Sequence, residues 1–124
     1  MHELSVCQAL LTQVTDIAMD RGASAVVQRI AIEVGPLSGV EPALLERAFE
    51  VLRVGSCAAH AVLSIESPEI SIRCLSCDAQ SSVEPNRLVC GACGDFRTRV
   101  VAGDELRLRR VELRVSEPPA ASIN

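Results

Sequence analysis

A chain of 124 residues with 48% hydrophobic content and a mean hydropathy of +0.27 can build one packed domain with a small appendage, or two very small units, and any smaller piece needs a staple. Its aromatic content of 2%, confined to Phe49 and Phe96, removes the stacking platforms that single-stranded nucleic acids use, and a formal charge of −4 offers no general pull toward phosphate. The first twenty residues hold Glu3, Asp16 and Asp20 without a basic leader, and no window approaches the roughly eighteen apolar residues of a membrane span. The expectation is a cytoplasmic protein that binds neither membrane nor nucleic acid.

Residues 4–21 place Leu4, Cys7, Leu10, Leu11, Val14, Ile17 and Ala18 at steps of three and four, predicting an amphipathic helix that Gly22 ends. Cys7 falls on that stripe as a small core residue. The α-amine, His2 and Glu3 lie at the positive end of this helix. From Ala25 to Val34 the period becomes two, with Val26, Ile30, Ile32 and Val34 on one face and Val27, Arg29 and Glu33 on the other, so a strand is expected. The run from Gly35 to Gly39 breaks it, and Pro42 suits the first turn of a second helix. Leu45, Ala48, Phe49 and Leu52 form its stripe and Gly55 closes it. Ala61, Leu63 and Ile65 alternate as a second strand, and Cys57 and His60 ahead of it read as structural residues.

The next segment is entered at Ser67-Pro68 and left near Val100-Val101. It holds Cys74-Leu75-Ser76-Cys77, twelve intervening residues, and Cys90-Gly91-Ala92-Cys93. Two such pairs converge on one tetrahedral ion in the manner of a rubredoxin-like zinc ribbon, with Gly91 and Gly94 easing the second turn. Beyond Gly103-Asp104 a third strand carries Leu106 and Leu108 on one parity and Val111, Leu113 and Val115 on the other. That slip predicts a β-bulge at Arg109-Arg110. The late arginines Arg97, Arg99, Arg107, Arg109, Arg110 and Arg114 read as a solvated strand face. Ser116 to Asn124, with Pro118-Pro119, reads as a flexible tail.

The fold class is therefore α+β: a three-stranded sheet with two helices, plus an inserted zinc-ribbon unit. The expected division is 1–68 and 101–115 for the larger domain, 69–100 for the zinc-binding domain and 116–124 for the tail.

Four thiolates fill every position around zinc, so Cys74, Cys77, Cys90 and Cys93 make a structural site with no water to activate; the competing reading is a redox switch that expels the metal. With 2 His, no phosphate-binding loop and no dinucleotide fingerprint, no enzyme is expected. A second metal site is available at Met1-His2-Glu3. The Met1 amine, the His2 backbone nitrogen and the His2 ring can form adjoining chelate rings, an arrangement suited to Ni(II) or Cu(II) rather than tetrahedral zinc.

Met1-His2-Glu3-Leu4-Ser5, the run Val34 to Val40, Ala48-Phe49-Glu50, the two cysteine pairs and Gly103-Asp104-Glu105-Leu106 together resemble the HypA/HybF hydrogenase maturation proteins. The resemblance spans residues 1 to about 115. It implies a nickel-binding α+β domain with a zinc-ribbon insertion, nickel held at His2 with main-chain nitrogens, and Glu3 associated with the site through its side chain or main chain. Zinc is structural and Ni(2+) is transferred cargo. The implied partners are a HypB-like GTPase, the large subunit of [NiFe]-hydrogenase and, in some members, urease accessory proteins. The alternative reading is a zinc-ribbon adaptor that binds protein or nucleic acid without carrying nickel.

Overall fold

The computed structural model describes residues 2–115, so the Met1 amine and the expected tail lie outside the described residues. The elements follow in the order α1 (Glu3–Arg21), β1 (Val26–Val34), α2 (Pro42–Leu52), β2 (Val62–Glu66), β3 (Ile70–Cys74), β4 (Gln80–Val83), β5 (Thr98–Ala102) and β6 (Leu106–Arg114). One sheet has the order β2-β1-β6, with β2 parallel and β6 antiparallel to β1. The other, β4-β3-β5, is antiparallel throughout. The last strand returns to the first sheet, so the expected α+β architecture with an inserted cysteine-bearing unit is what the chain adopts.

Cys7, Leu10, Leu11, Val14 and Ala18 of α1 pack with Leu45, Ala48 and Phe49 of α2 and with Val27, Ile30, Ile32 and Val34 of β1 in one cluster. At about 1.5–3 kcal/mol for each fully buried large aliphatic or aromatic side chain, this cluster is the main source of cohesion. Two details differ from the periodicity. Leu4 is 54% exposed and Glu3 takes the buried place, because Glu3 stands one turn before Cys7 on the stripe. In β1, Val27 rather than Val26 faces the core. The register slips between Val27 and Arg29, leaving Gln28 as an extra residue, and the slip reverses the alternation before it.

The bulge expected in β6 is present. Ala31 pairs with Arg110 and Ile32 with Leu108, so Arg109 is the unpaired residue. Leu108 and Val111 both pack against the core across it.

Arg53, just past α2, ties the connection to β2. Its Nε donates to the Ala59 carbonyl at 3.0 Å, its Nη2 to the Ala61 carbonyl and its Nη1 to Glu50 at 2.9 Å, while the guanidinium lies 4.6 Å from the Phe49 ring centroid. Three passages of the chain then meet at one point. A Cβ on Gly35 would lie 2.3 Å from the Gly103 carbonyl oxygen, and one on Gly103 would lie 2.9 Å from the Ile70 Cα. Gly103 also has a φ of +102°, which side-chain-bearing residues rarely adopt. Gly35 N–H donates to the Glu105 carbonyl, and Leu37 N–H to that of Gly103, both at 2.9 Å.

Gly35→Ala should therefore lower stability by about 1–3 kcal/mol, since the intruding methyl meets backbone that cannot rotate away. Denaturant unfolding of the zinc-loaded protein checks this; a midpoint equal to that of the native chain would show that the junction is not tight.

Candidate metal centres

The two cysteine pairs occupy near-equivalent turns. In the first, the Ser76 and Cys77 amides donate to Cys74 Sγ at 3.3 and 3.4 Å; in the second, Ala92 and Cys93 donate to Cys90 Sγ at 3.3 and 3.4 Å. Each turn ends in a left-handed residue, Asp78 with φ of 64° and Gly94 with φ of 77°. The Asp78 amide reaches back to the Cys74 carbonyl at 3.1 Å and that of Gly94 to Cys90 at 2.9 Å. Gly94 thus meets its expected role. Gly91 has a different one: its amide donates to Ser81 Oγ at 2.9 Å, and a Cβ there would come within 3.1 Å of that oxygen.

The four sulfur atoms lie within 4.8 Å of one another, with Cys74 to Cys93 at 3.6 Å and Cys77 to Cys90 at 3.5 Å. A tetrahedral ion with bonds of about 2.3 Å to sulfur sets the sulfurs about 3.8 Å apart, so the donor set fits zinc in size as well as type. The amides aimed at Cys74 and Cys90 favour thiolate at those two sulfurs, while Cys77 and Cys93 are shifted upward. The Cys93 and Ala92 amides hold the Cys90 thiol down at about 6, and those of Cys77 and Ser76 lower Cys74.

Asp95 links the turns. Its carboxylate accepts from Ser76 Oγ in the first turn and from the Arg97 backbone amide and Nη2, each at 3.0 Å. Its carbonyl accepts from the Cys90 amide at 2.9 Å. Arg97 and then Ser76 keep the Asp95 carboxyl well below the usual carboxylate range. Nothing in the spacing of the cysteines signals this residue.

At the other end of the chain, His2 is exposed and precedes α1, with its carbonyl accepting from the Val6 amide at 3.0 Å. Its ring comes near the loop before α2, where a Cβ on Gly39 would lie 4.0 Å from His2 Cε1. Glu3 is only 6% exposed, and its Oε2 accepts from the Glu41 amide at 2.9 Å. Glu41 is the residue that opens α2, so the carboxylate sits at that helix's positive end. The charged amino terminus, and after it the Glu41 amide, hold the Glu3 carboxyl at about 2. Glu3, Gly39 and Glu41 line one hollow with Val40 and Ser67. Sequence reasoning passed over Glu41, although an acidic residue directly before Pro42 at a helix start was a visible signal.

Among the described residues, the four cysteines are the one group of three or more His, Cys, Asp or Glu side chains close enough to share an ion. Cys7 is buried in the core, Cys57 lies 3.9 Å from Thr15 Oγ1, and His60 is exposed at the entrance to β2. No helix among these residues is long and apolar enough to cross a membrane.

A family model described as "Hydrogenase/urease nickel incorporation, metallochaperone, hypA" matches residues 1–113. The chain is 44% identical over 113 residues to the hydrogenase maturation factor HypA of Nitrosospira multiformis, covering 91% of this chain and 97% of that one. It is 37% identical over 115 residues to the HypA of Aquifex aeolicus, covering 93% and 99%. A solution structure of the nickel metallochaperone HypA from Helicobacter pylori superposes with a TM-score of 0.68 at 24% identity, covering 94% of this chain and all of that one. A second HypA solution structure gives 0.70 at 26%, covering 92% and 97%.

Two outcomes follow from the geometry. Freshly purified protein should carry one tightly held metal ion, and Cys90→Ser should fall below about half an equivalent by elemental analysis, since structural sites bind as part of folding. For Glu3, a depressed carboxyl contributes stability that is complete above its ordinary value near 4.5 and is lost as pH falls toward about 2. The stability gap between the native chain and Glu3→Gln should thus hold steady down to about pH 5 and narrow below about pH 4. A gap that widens on acidification would contradict this.

Proposed function

Because this chain belongs to the HypA family of hydrogenase/urease nickel-incorporation metallochaperones, we propose that it takes up Ni(II) at its amino terminus and hands it on in the cytoplasm. The recipient is the large subunit of a [NiFe]-hydrogenase, with a HypB-like GTPase as co-worker and urease accessory proteins where a urease is served. The Met1 amine, the His2 backbone nitrogen and the His2 ring supply the nitrogen donors. In the expected division of the chain, residues 1–68 and 101–115 carry this site, and 69–100 carry structural zinc on Cys74, Cys77, Cys90 and Cys93. The protein works by ligand exchange rather than by catalysis.

The observation that carries this reading is the anchoring of Glu3. With the Glu3 carboxylate fixed on the Glu41 amide, His2 before it is exposed to solvent and its ring lies near Gly39, which lines the hollow. Glu3 therefore positions the chelate through the main chain, and its own carboxylate is already engaged. Glu41 lines the same hollow. An exposed, nitrogen-rich chelate can be dismantled one donor at a time by an incoming ligand, as delivery demands. Nitrogen donors in a planar array bind Cu(II) at least as well as Ni(II), so selectivity must come in part from partner contacts and metal supply.

Nickel titration of zinc-loaded, untagged protein should give one exchangeable equivalent, which His2→Ala should abolish while zinc stays bound. One residue added ahead of Met1 should weaken nickel binding as well, because it removes the terminal amine from the chelate. Retention of both affinity and stoichiometry in His2→Ala would remove His2 from the site.

A further inference from the structure

The helices cover one face of the first sheet, and the other face is charged. Strand pairing lays out three rows across it: Glu112 beside Arg29 and Val62, Arg110 beside Ala31 and Ser64, and Arg107 beside Glu33 and Glu66. The bulge at Arg109 alters the middle of this array. With Leu108 and Val111 both turned to the core, the two residues between them are both exposed, where a regular strand would send one inward. Arg29 and Arg110 share Glu112, at 3.9 and 3.3 Å, and Arg109 contacts Glu33. Each guanidinium has five donors, and Arg29, Arg109 and Arg110 remain 47, 53 and 70% exposed, so donor capacity is left over.

The small residues Ala31 and Ser64 floor a hollow walled by these three arginines and by Glu66 and Glu112. Counting Arg107 and Arg114, the face carries five arginines against three glutamates in a chain whose formal charge is −4.

We propose that this outer sheet face docks an acidic segment of a partner protein, with an Asp or Glu side chain entering the hollow over Ala31 and Ser64 between the three arginines. Guanidinium–carboxylate pairing is already the chemistry of the face, which leaves its planar donors presented for more of the same. The charge extends in rows over three strands, which suits a chain segment; a free phosphate calls for donors converging on one point. A flat anionic membrane would meet Glu33, Glu66 and Glu112 together with the arginines, whereas a chain segment can set its carboxylates at the arginines and pass the glutamates by. The negative remainder of the chain turns an acidic partner toward this one face. The face lies opposite the helices, so docking there leaves the amino terminus open. The assignment rests on the sheet and its charges and is independent of the nickel reading.

The test is fluorescence anisotropy of a labelled oligoglutamate peptide with the zinc-loaded full chain. Saturable binding that weakens with salt is expected, and Arg109→Glu/Arg110→Glu should weaken it at least about tenfold, the loss appropriate to a charge-assisted hydrogen bond. Arg47→Glu, on the exposed side of α2, should change it less than about twofold. If the double variant is misfolded by circular dichroism, Arg110→Gln replaces it, with a loss of about threefold or more expected. No saturable binding at low salt, or undiminished binding by the variants, would overturn the proposal. So would displacement of the peptide by inorganic phosphate or anionic phospholipid vesicles at equal concentration of charge.

Discussion

The contact of Gly35, Gly103 and Ile70 is the constraint on which the arrangement of the two sheets depends. Three stretches far apart in sequence, the residue after β1, the link from β5 to β6 and the start of β3, touch there mainly through backbone, with the Ile70 side chain beside Gly103. Side chains repack when a neighbour changes, whereas backbone at these separations has nowhere to go. The second sheet is thus set against the first at its root, mainly by backbone. Its own buried residues, Ile70, Ile72, Cys74 and Cys90, lie apart from the cluster beneath the helices.

The cysteine cluster and the proposed nickel site differ in a way that follows from what surrounds their donors. The cysteine sulfurs are gathered by amides, locked by paired left-handed turns and bridged by Asp95, so every ligand is held by groups that do not move independently. At the amino terminus the buried Glu3 carboxylate, held by the Glu41 amide, fixes the base of the proposed nickel chelate, and His2 beside it is exposed. Rigid closure suits an ion that stays. One firm point beneath an exposed chelate suits an ion that leaves.

Much of this was legible in residue order. Spacing was enough for the cysteine turns, because the ligands are close in sequence and the geometry is local. The bulge at Arg109 could be read because the apolar residues on either side of it change parity. The bulge at Gln28 could not, since Val26 and Val27 are equally apolar and either could face inward. Leu4 differs for a related reason: hydrophobicity marks a stripe, while the polar Glu3 can occupy the buried place one turn before Cys7 because the Glu41 amide at the start of α2, 38 residues on, satisfies its carboxylate. Contacts of that kind, like that of Asp95 with Ser76, depend on where distant chain arrives. The charged sheet face is an intermediate case. Its arginines are plain in the sequence as a solvated strand, but the rows that oppose them to Ala31 and Ser64 exist only once three strands are paired.

The return of β6 to β1 also bears on how the sheet is completed. Between Glu66 and Leu106 the chain leaves the first sheet, and β6 cannot find its place until that long excursion brings its ends together. Closing a flexible loop costs entropy that grows with its length. An ion clasped by Cys74, Cys77, Cys90 and Cys93 shortens the free part of that loop, and Gly103 holds its exit against its entrance at Ile70. The knot therefore acts on the larger sheet without touching its core: by gathering the excursion, it raises the effective concentration of the last strand at the edge it must join.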